Sequence, residues 1–194
     1  MPLTTYTAGE VLTAASLNAN FTFAAASPTG GLVCVKAETA FSAVASFTAD
    51  NVFTSTYTNY FLSLRYTSSA AAPFMQFQVG GVAAATNYNY QLISAESTTV
   101  AASRATAQTS ALIAGDSGGD FKSFAYVNIS GPQLAEPTDY ISKNIRNATG
   151  YTSPIILDTH GNHSTATAYD GIKVLVSSGT MTGTYAIYGY SKTV

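Results

Sequence analysis

The sequence predicts an all-β fold, a jelly-roll-like antiparallel β-sandwich preceded by a short N-terminal helical segment. Three observations lead there. From Leu32 onward, short stretches rich in Tyr, Phe, Val, Ile and Thr alternate apolar and polar residues. Clusters of Gly, Ser, Asn and Pro separate these stretches at the spacing of sandwich or barrel turns. Only the opening of the chain, up to about residue 25, carries a helical pattern.

The helical pattern has two candidate starts. Thr7-Ala8-Gly9-Glu10 has the spacing of a capping box, and Thr13 is the alternative N-cap. Val11, Ala14, Leu17 and Phe21 then recur at helical spacing and define one face. Two or three turns of helix are marginal alone in water, so this segment needs a surface to lean on. Ser27-Pro28-Thr29-Gly30-Gly31 ends it as a turn or hinge. The division expected is a segment 1–27 and a β-body 28–194.

Within the body, Tyr60, Leu62, Leu64 and Tyr66 share one face of a strand, and Phe74–Val79 alternates up to Gly80-Gly81. Tyr88, Tyr90 and Leu92 share a face, as do Ala125, Val127 and Ile129, with Phe124 and Tyr126 turned away. Ile155-Ile156-Leu157 is a short apolar run. Ile172, Val174 and Val176 share a face, and Thr184–Tyr190 is the last strand. Ser94–Ala114, mostly Ala, Ser and Thr, is read as strands and a loop, because threonine favours extended structure over helix. No fixed-period repeat is visible.

Composition narrows the function. The 194 residues fit one ordinary domain. Hydrophobic residues make up 46% and aromatics 12%, enough for a sizeable core, which argues against disorder. Only 9% are charged, against about 25% in a typical soluble domain. Eight Lys and Arg are scattered along a chain of net charge −2. No patch can neutralise several phosphates, so neither a nucleic acid nor a membrane is an expected partner. So little charge leaves weak repulsion between copies, which suits a protein that hides its surface in an assembly.

Cys34 is the sole cysteine, so neither an intrachain disulfide nor a cysteine-based zinc site is expected. Within Leu32-Val33-Cys34-Val35 it reads as a small buried hydrophobe. Met1-Pro2-Leu3-Thr4-Thr5 lacks the basic and apolar regions of a signal peptide. No apolar stretch approaches the roughly 20 residues needed to span a bilayer. A soluble chain outside the secretory route is therefore expected, and the four sequons at Asn20, Asn128, Asn147 and Asn162 carry little weight.

Motifs for catalysis are weak. Gly115-Asp116-Ser117-Gly118-Gly119 resembles the nucleophile loop of trypsin-like serine proteases. Asp120 stands where that family usually has Pro, and both histidines lie downstream instead of upstream. A turn between strands is the expected role. Asp158-Thr159-His160-Gly161-Asn162-His163 offers two imidazoles and a carboxylate to a metal, but Gly161 suggests a solvated turn. The pairs Glu136/Asp139 and Asp116/Asp120 do not border a recognisable cleft, so glycosidase chemistry has no positive support. No catalytic residue, metal ligand or cofactor is assigned, and the chain is expected not to be an enzyme. Tyr57, Tyr60, Tyr88, Tyr90, Tyr188 and Tyr190 are the candidate surface or interface aromatics, since tyrosine joins an apolar body to a polar tip. Ordinary sheet packing is the competing role for each.

Thr5-Tyr6-Thr7-Ala8-Gly9-Glu10-Val11-Leu12-Thr13-Ala14-Ala15-Ser16-Leu17-Asn18-Ala19-Asn20-Phe21 resembles the N-terminus of many tailed-bacteriophage virion proteins, with Ser16 where that pattern usually has Asp. Tyr57–Leu64, Asn87–Gln91 and Gly179–Tyr190 are similar to later strands of the same group, in the same order. The resemblance is to tail fibre, head fibre and capsid decoration proteins. It implies a virion structural protein, usually a homotrimer, with an N-terminal attachment segment and a β-sandwich body. On this reading Val11, Leu12, Leu17 and Phe21 dock the chain to other virion proteins of capsid or tail. A fibre tip that binds a host receptor or surface glycan is the alternative.

Overall fold

The structure, a computed structural model, describes residues 5–11, 13–26, 31–115, 122–147 and 154–192. One helix, α1 (Ala14–Ala26), precedes thirteen strands among the described residues. In chain order they are β1 (Leu32–Val44), β2 (Ser46–Ala49), β3 (Asn59–Ser68), β4 (Pro73–Val79) and β5 (Val82–Ala83). Then come β6 (Tyr88–Glu96), β7 (Thr99–Gln108), β8 (Ala111–Leu112) and β9 (Ser123–Ser130). Last are β10 (Thr138–Arg146), β11 (Ile155–His163), β12 (Gly171–Val176) and β13 (Met181–Tyr190).

They form an antiparallel β-sandwich of two unequal sheets. The larger runs β1-β13-β3-β9-β10-β11-β6-β7, and the smaller runs β2-β12-β4-β5, with β8 also on β4. Alternation in the sequence becomes the core directly. Tyr60, Leu62, Leu64 and Tyr66 of β3 are fully buried, beside Ala125, Val127 and Ile129 of β9. Met75 and Phe77 of β4 with Ile172 and Val174 of β12 close the core from the smaller sheet. The Ala/Ser/Thr-rich segment forms the outer hairpin: Glu96 pairs Thr99 across a two-residue turn with Ser97 at φ 54°. β7 is then an edge strand exposed along nearly its whole length, where small residues suffice.

Three expectations are corrected. Cys34 is exposed. β1 is an edge strand whose Val33 and Val35 are partly covered, so the period of two turns Cys34 outward, opposite Tyr188. Residues 158–163 are not a turn but the C-terminal part of β11, paired throughout with β10 and β6. Gly161 sits there because the Tyr140 side chain lies across it: a Cβ at this position would come 2.6 Å from the Tyr140 hydroxyl. Tyr60 and Tyr88 are core residues, each with no exposed surface. Each satisfies its buried hydroxyl on backbone. Tyr60 Oη donates to the Thr54 carbonyl (2.8 Å) and accepts from the Thr54 N–H (2.7 Å). Tyr88 Oη donates to the Ala84 carbonyl (3.0 Å) and accepts from the Phe77 N–H (2.8 Å).

The helix starts at the second candidate cap. Thr13 Oγ1 accepts from the Ser16 N–H at 3.2 Å. At Thr7, both the N–H (3.0 Å) and the hydroxyl (3.1 Å) donate to Glu10 Oε2, which is one half of the expected box. However, Gly9 at φ 90° closes a tight turn there, with the Glu10 N–H on the Thr7 carbonyl, so this box precedes the helix without opening it.

Candidate functional site

The outer face of the larger sheet is the most distinctive surface. Because side chains alternate, each strand that feeds the core also presents a second row to solvent. On β10 that row is Asp139, Ile141, Lys143 and Ile145, and on β11 it is Ile156, Asp158, His160 and Asn162. Register brings Tyr126 of β9 beside Lys143, and Ile93 of β6 beside Asp158. Ile145 and Ile156 face one another directly, next to Phe124. Ile156 is 57% exposed, Ile93 55%, Ile145 49% and Tyr126 46%. Large apolar groups gathered on one sheet face, instead of scattered singly, set this surface apart from the rest of the sandwich.

The charges on this face are few and partly self-neutralised. Lys143 Nζ sits 2.8 Å from Asp158 Oδ2, and His160 Nε2 lies 3.0 Å from Asp158 Oδ1. The Lys143 ammonium is the main reason the Asp158 carboxyl lies below its usual range. Three depressions break the face. One of about 360 Å³ is bordered by Asn89, Gln91, Arg104, His160 and Asn162. A second, about 260 Å³, lies by Ile141, Asn128 and Tyr190, whose hydroxyl reaches Asn128 Oδ1 at 2.5 Å. The third, about 220 Å³, is the apolar notch between Phe124, Ile145 and Ile156.

The remaining tyrosines divide by strand position. Tyr57 is half-buried against the Cα of Gly189 and edge-on to Tyr60, with ring centroids 6.0 Å apart. Tyr90 is half-buried beside the Tyr140 system, and burial pushes its phenol up. Tyr188 packs on Phe61 at 6.1 Å, and Tyr190 is 37% exposed. Tyr188 and Tyr190 therefore reach the outer face, whereas Tyr57 and Tyr90 serve mainly as packing. Sequence reasoning missed Tyr126, Ile93, Ile145 and Ile156. The signal was the second half of each alternation, apolar residues at positions opposite the core row.

Three residues apart on a strand means opposite faces. His160 is exposed on the outer face, while His163 is 1% exposed inside, its Nδ1 2.8 Å from the Tyr169 hydroxyl. The two imidazoles cannot share a ligand, and no group of three His, Cys, Asp or Glu converges among the described residues. Ser117 with Asp116 and Asp120 lies outside the described residues.

Burial among Phe77, Tyr88 and Tyr169 holds the His163 imidazole below its ordinary pKa. The unfolded chain then binds the proton more readily than the folded one. Stability is complete above the unfolded value of about 6.5 and is lost as pH falls through and below it. Urea unfolding at pH 7.5 and pH 5 is expected to show this loss. A His163→Gln chain is expected to show a smaller difference between the two pH values.

Of the expected attachment residues, Val11 is 82% exposed and precedes the helix, and Leu17 is 36% exposed on it. Leu12 and the side chain of Phe21 lie outside the described residues. No described side chain of α1 joins the core of the sandwich, and apolar residues are spread around the helix instead of gathered on one face. No helix among the described residues is long and apolar enough to cross a membrane. Comparisons with protein-family models, curated proteins and solved structures return no match.

Proposed function

We propose that this chain is a non-enzymatic structural component of a tailed-phage virion. It is a fibre or decoration protein that docks by its N-terminal segment and assembles through its β-body as a homo-oligomer. The resemblance of residues 5–21 and of three later strands supplies the virion reading and implies three copies. The observation that carries the docking role is α1: a capped helix preceding the sandwich, with Leu17 exposed and no described side chain in the core. A helix of 13 residues gains little stability alone, so a partner surface is what would hold it. The apolar outer face fits the assembly role for the same reason, since burying it against protein removes hydrocarbon from water.

Removal of residues 1–27 is expected to leave a folded body with an unchanged β-type circular dichroism spectrum. That body is expected to be absent from particles assembled in its presence. Normal incorporation of the truncated chain would refute the attachment role.

The polar depression by Arg104, His160 and Asn162 favours one second reading, a tip that binds a host-surface glycan. Amide, guanidinium and imidazole groups there offer donors and acceptors for sugar hydroxyls. Saturable binding on a glycan array, lost in Arg104→Ala, would support this reading over a purely architectural one.

A further inference from the structure

We propose that the end of the smaller sheet where β2, β12 and β4 meet binds one calcium ion, held by side-chain oxygens of Asp50, Gln78 and Asp170. The site is separate from α1 and from the outer face of the larger sheet, and it does not depend on the virion reading.

Strand pairing builds the site. β12 lies between β2 and β4, with Ile172 opposite Ala49 and Gly171 opposite Gln78. Asp50 follows the last residue of β2, Asp170 precedes the first residue of β12, and Gln78 is next to last in β4. Three residues distant in sequence are thereby set at one end of three adjacent strands. Gly171 keeps the space between them open: a Cβ there would come 2.5 Å from the Ala49 carbonyl and 3.1 Å from Gln78 Nε2. The Gln78 side chain therefore passes over β12 and donates from Nε2 to Asp50 Oδ1. A depression of about 370 Å³ opens at the two carboxylates, bordered by Asp50, Asn51, Gly80, Gly81 and Asp170.

Two buried acceptors here have no donor. Gln78 has no exposed surface, and its Oε1 accepts no hydrogen bond. Asp170 places Oδ2 on the Gly80 N–H at 2.7 Å, but its buried Oδ1 accepts none. Turning the Gln78 amide over within the protein alone does not help. It would set the amide oxygen against the Asp50 carboxylate and lose the one bond the amide makes. Among the described residues no lysine or arginine forms an ion pair with Asp50 or Asp170, Lys173 on β12 included. Buried acceptors without donors are costly, and two carboxylates beside them add mutual repulsion. A cation answers all of these together. With the amide turned so that Oε1 faces Asp50, the repulsion that forbids that orientation becomes coordination.

The donor set selects the ion. Oxygen donors suit hard cations, and no thiolate or imidazole borders the depression to favour zinc or copper. Calcium accepts carboxylate, amide and backbone oxygens at about 2.3–2.6 Å in irregular geometry, whereas magnesium demands a near-ideal octahedron and keeps several waters. Donors fixed by three strand ends match the former. Asn51, the backbone of Gly80 and Gly81, and water are available to complete the shell. With two carboxylates the expected dissociation constant is about 10⁻⁴ to 10⁻³ M, the range of low-charge calcium modules.

The test uses the full chain with calcium chloride alone. Calorimetric titration is expected to saturate at one calcium per chain, and the melting temperature is expected to be higher in calcium than in chelator. Magnesium is expected to bind at least roughly tenfold more weakly. Asp50→Asn and Asp170→Asn keep the side-chain shape and remove one charge, so each is expected to weaken calcium binding roughly tenfold or more. Glu96→Gln, exposed on the larger sheet, is expected to leave it unchanged. Gln78→Glu acts in the opposite direction. A third carboxylate is expected to lower the melting temperature in chelator, to tighten calcium binding roughly tenfold, and to have its loss of stability recovered by calcium. A glutamine that only packs would give the destabilisation without the recovery. No saturable binding below about 10 mM calcium, an affinity indifferent to both aspartate variants, magnesium binding as tight as calcium, or a Gln78→Glu chain that calcium does not rescue would each overturn the proposal.

Discussion

Phe77→Ala is expected to lower the free energy of unfolding by about 3–5 kcal/mol, the range for emptying an aromatic site in a packed core. Phe77 has no exposed surface and lies where the two sheets meet. Its ring stacks on Tyr169 at 5.2 Å and on Tyr88 at 6.1 Å, and meets Phe53 and His163 at 6.4 and 6.2 Å. These neighbours come from four separate segments, so they cannot collapse together into the cavity. Two of them are also tethered by hydrogen bonds: Tyr88 to the backbone of Phe77 and Ala84, and Tyr169 to His163. Urea unfolding should show the midpoint move with little change in slope. A loss below about 1 kcal/mol would mean that the aromatic knot repacks freely, contrary to the close-packed core described here.

Gly161→Ala is the second large effect, at about 3 kcal/mol. The added methyl would strike the Asn89 backbone carbonyl on β6 and the Tyr140 ring and hydroxyl. The carbonyl belongs to the ladder between β6 and β11, and Tyr140 is 2% exposed, so neither can step aside cheaply. The strain falls beside His160 and Asn162, and the ladder from β11 to β6 and β7 should loosen first. Hydrogen exchange is the suitable readout: amides of β6 and β11 should lose protection before those of β3 and β13. Wild-type protection in β6 would show that Tyr140 does not press on Gly161.

Much of the sandwich is legible in the sequence because a strand's period is two. Once Tyr60, Leu62, Leu64 and Tyr66 are seen to alternate, their burial on one face follows, and the same holds for Ala125-x-Val127-x-Ile129. Alternation does not say which strand neighbours which. It therefore could not foresee that β3 lies between β13 and β9, or that β1 is an edge that leaves Cys34 in solvent. Gly161 reads locally as a turn residue, whereas its cause is a tyrosine brought from β10 by pairing. Tyr60 and Tyr88 read as amphipathic surface residues because a hydroxyl prefers water. Only tertiary structure places the Thr54 backbone and the Ala84 carbonyl where those hydroxyls can be buried at no loss.

By itself the sequence determined the class of fold, the faces of the principal strands, a capped helix near the N-terminus and a surface poor in charge. Those are local or additive properties, set by residue type and spacing. The tertiary structure decided which exposed residues become neighbours. Ile93, Tyr126, Ile145 and Ile156 come from four strands, and only the hydrogen-bond register, a long-range property no local pattern encodes, gathers them around Lys143 and Asp158.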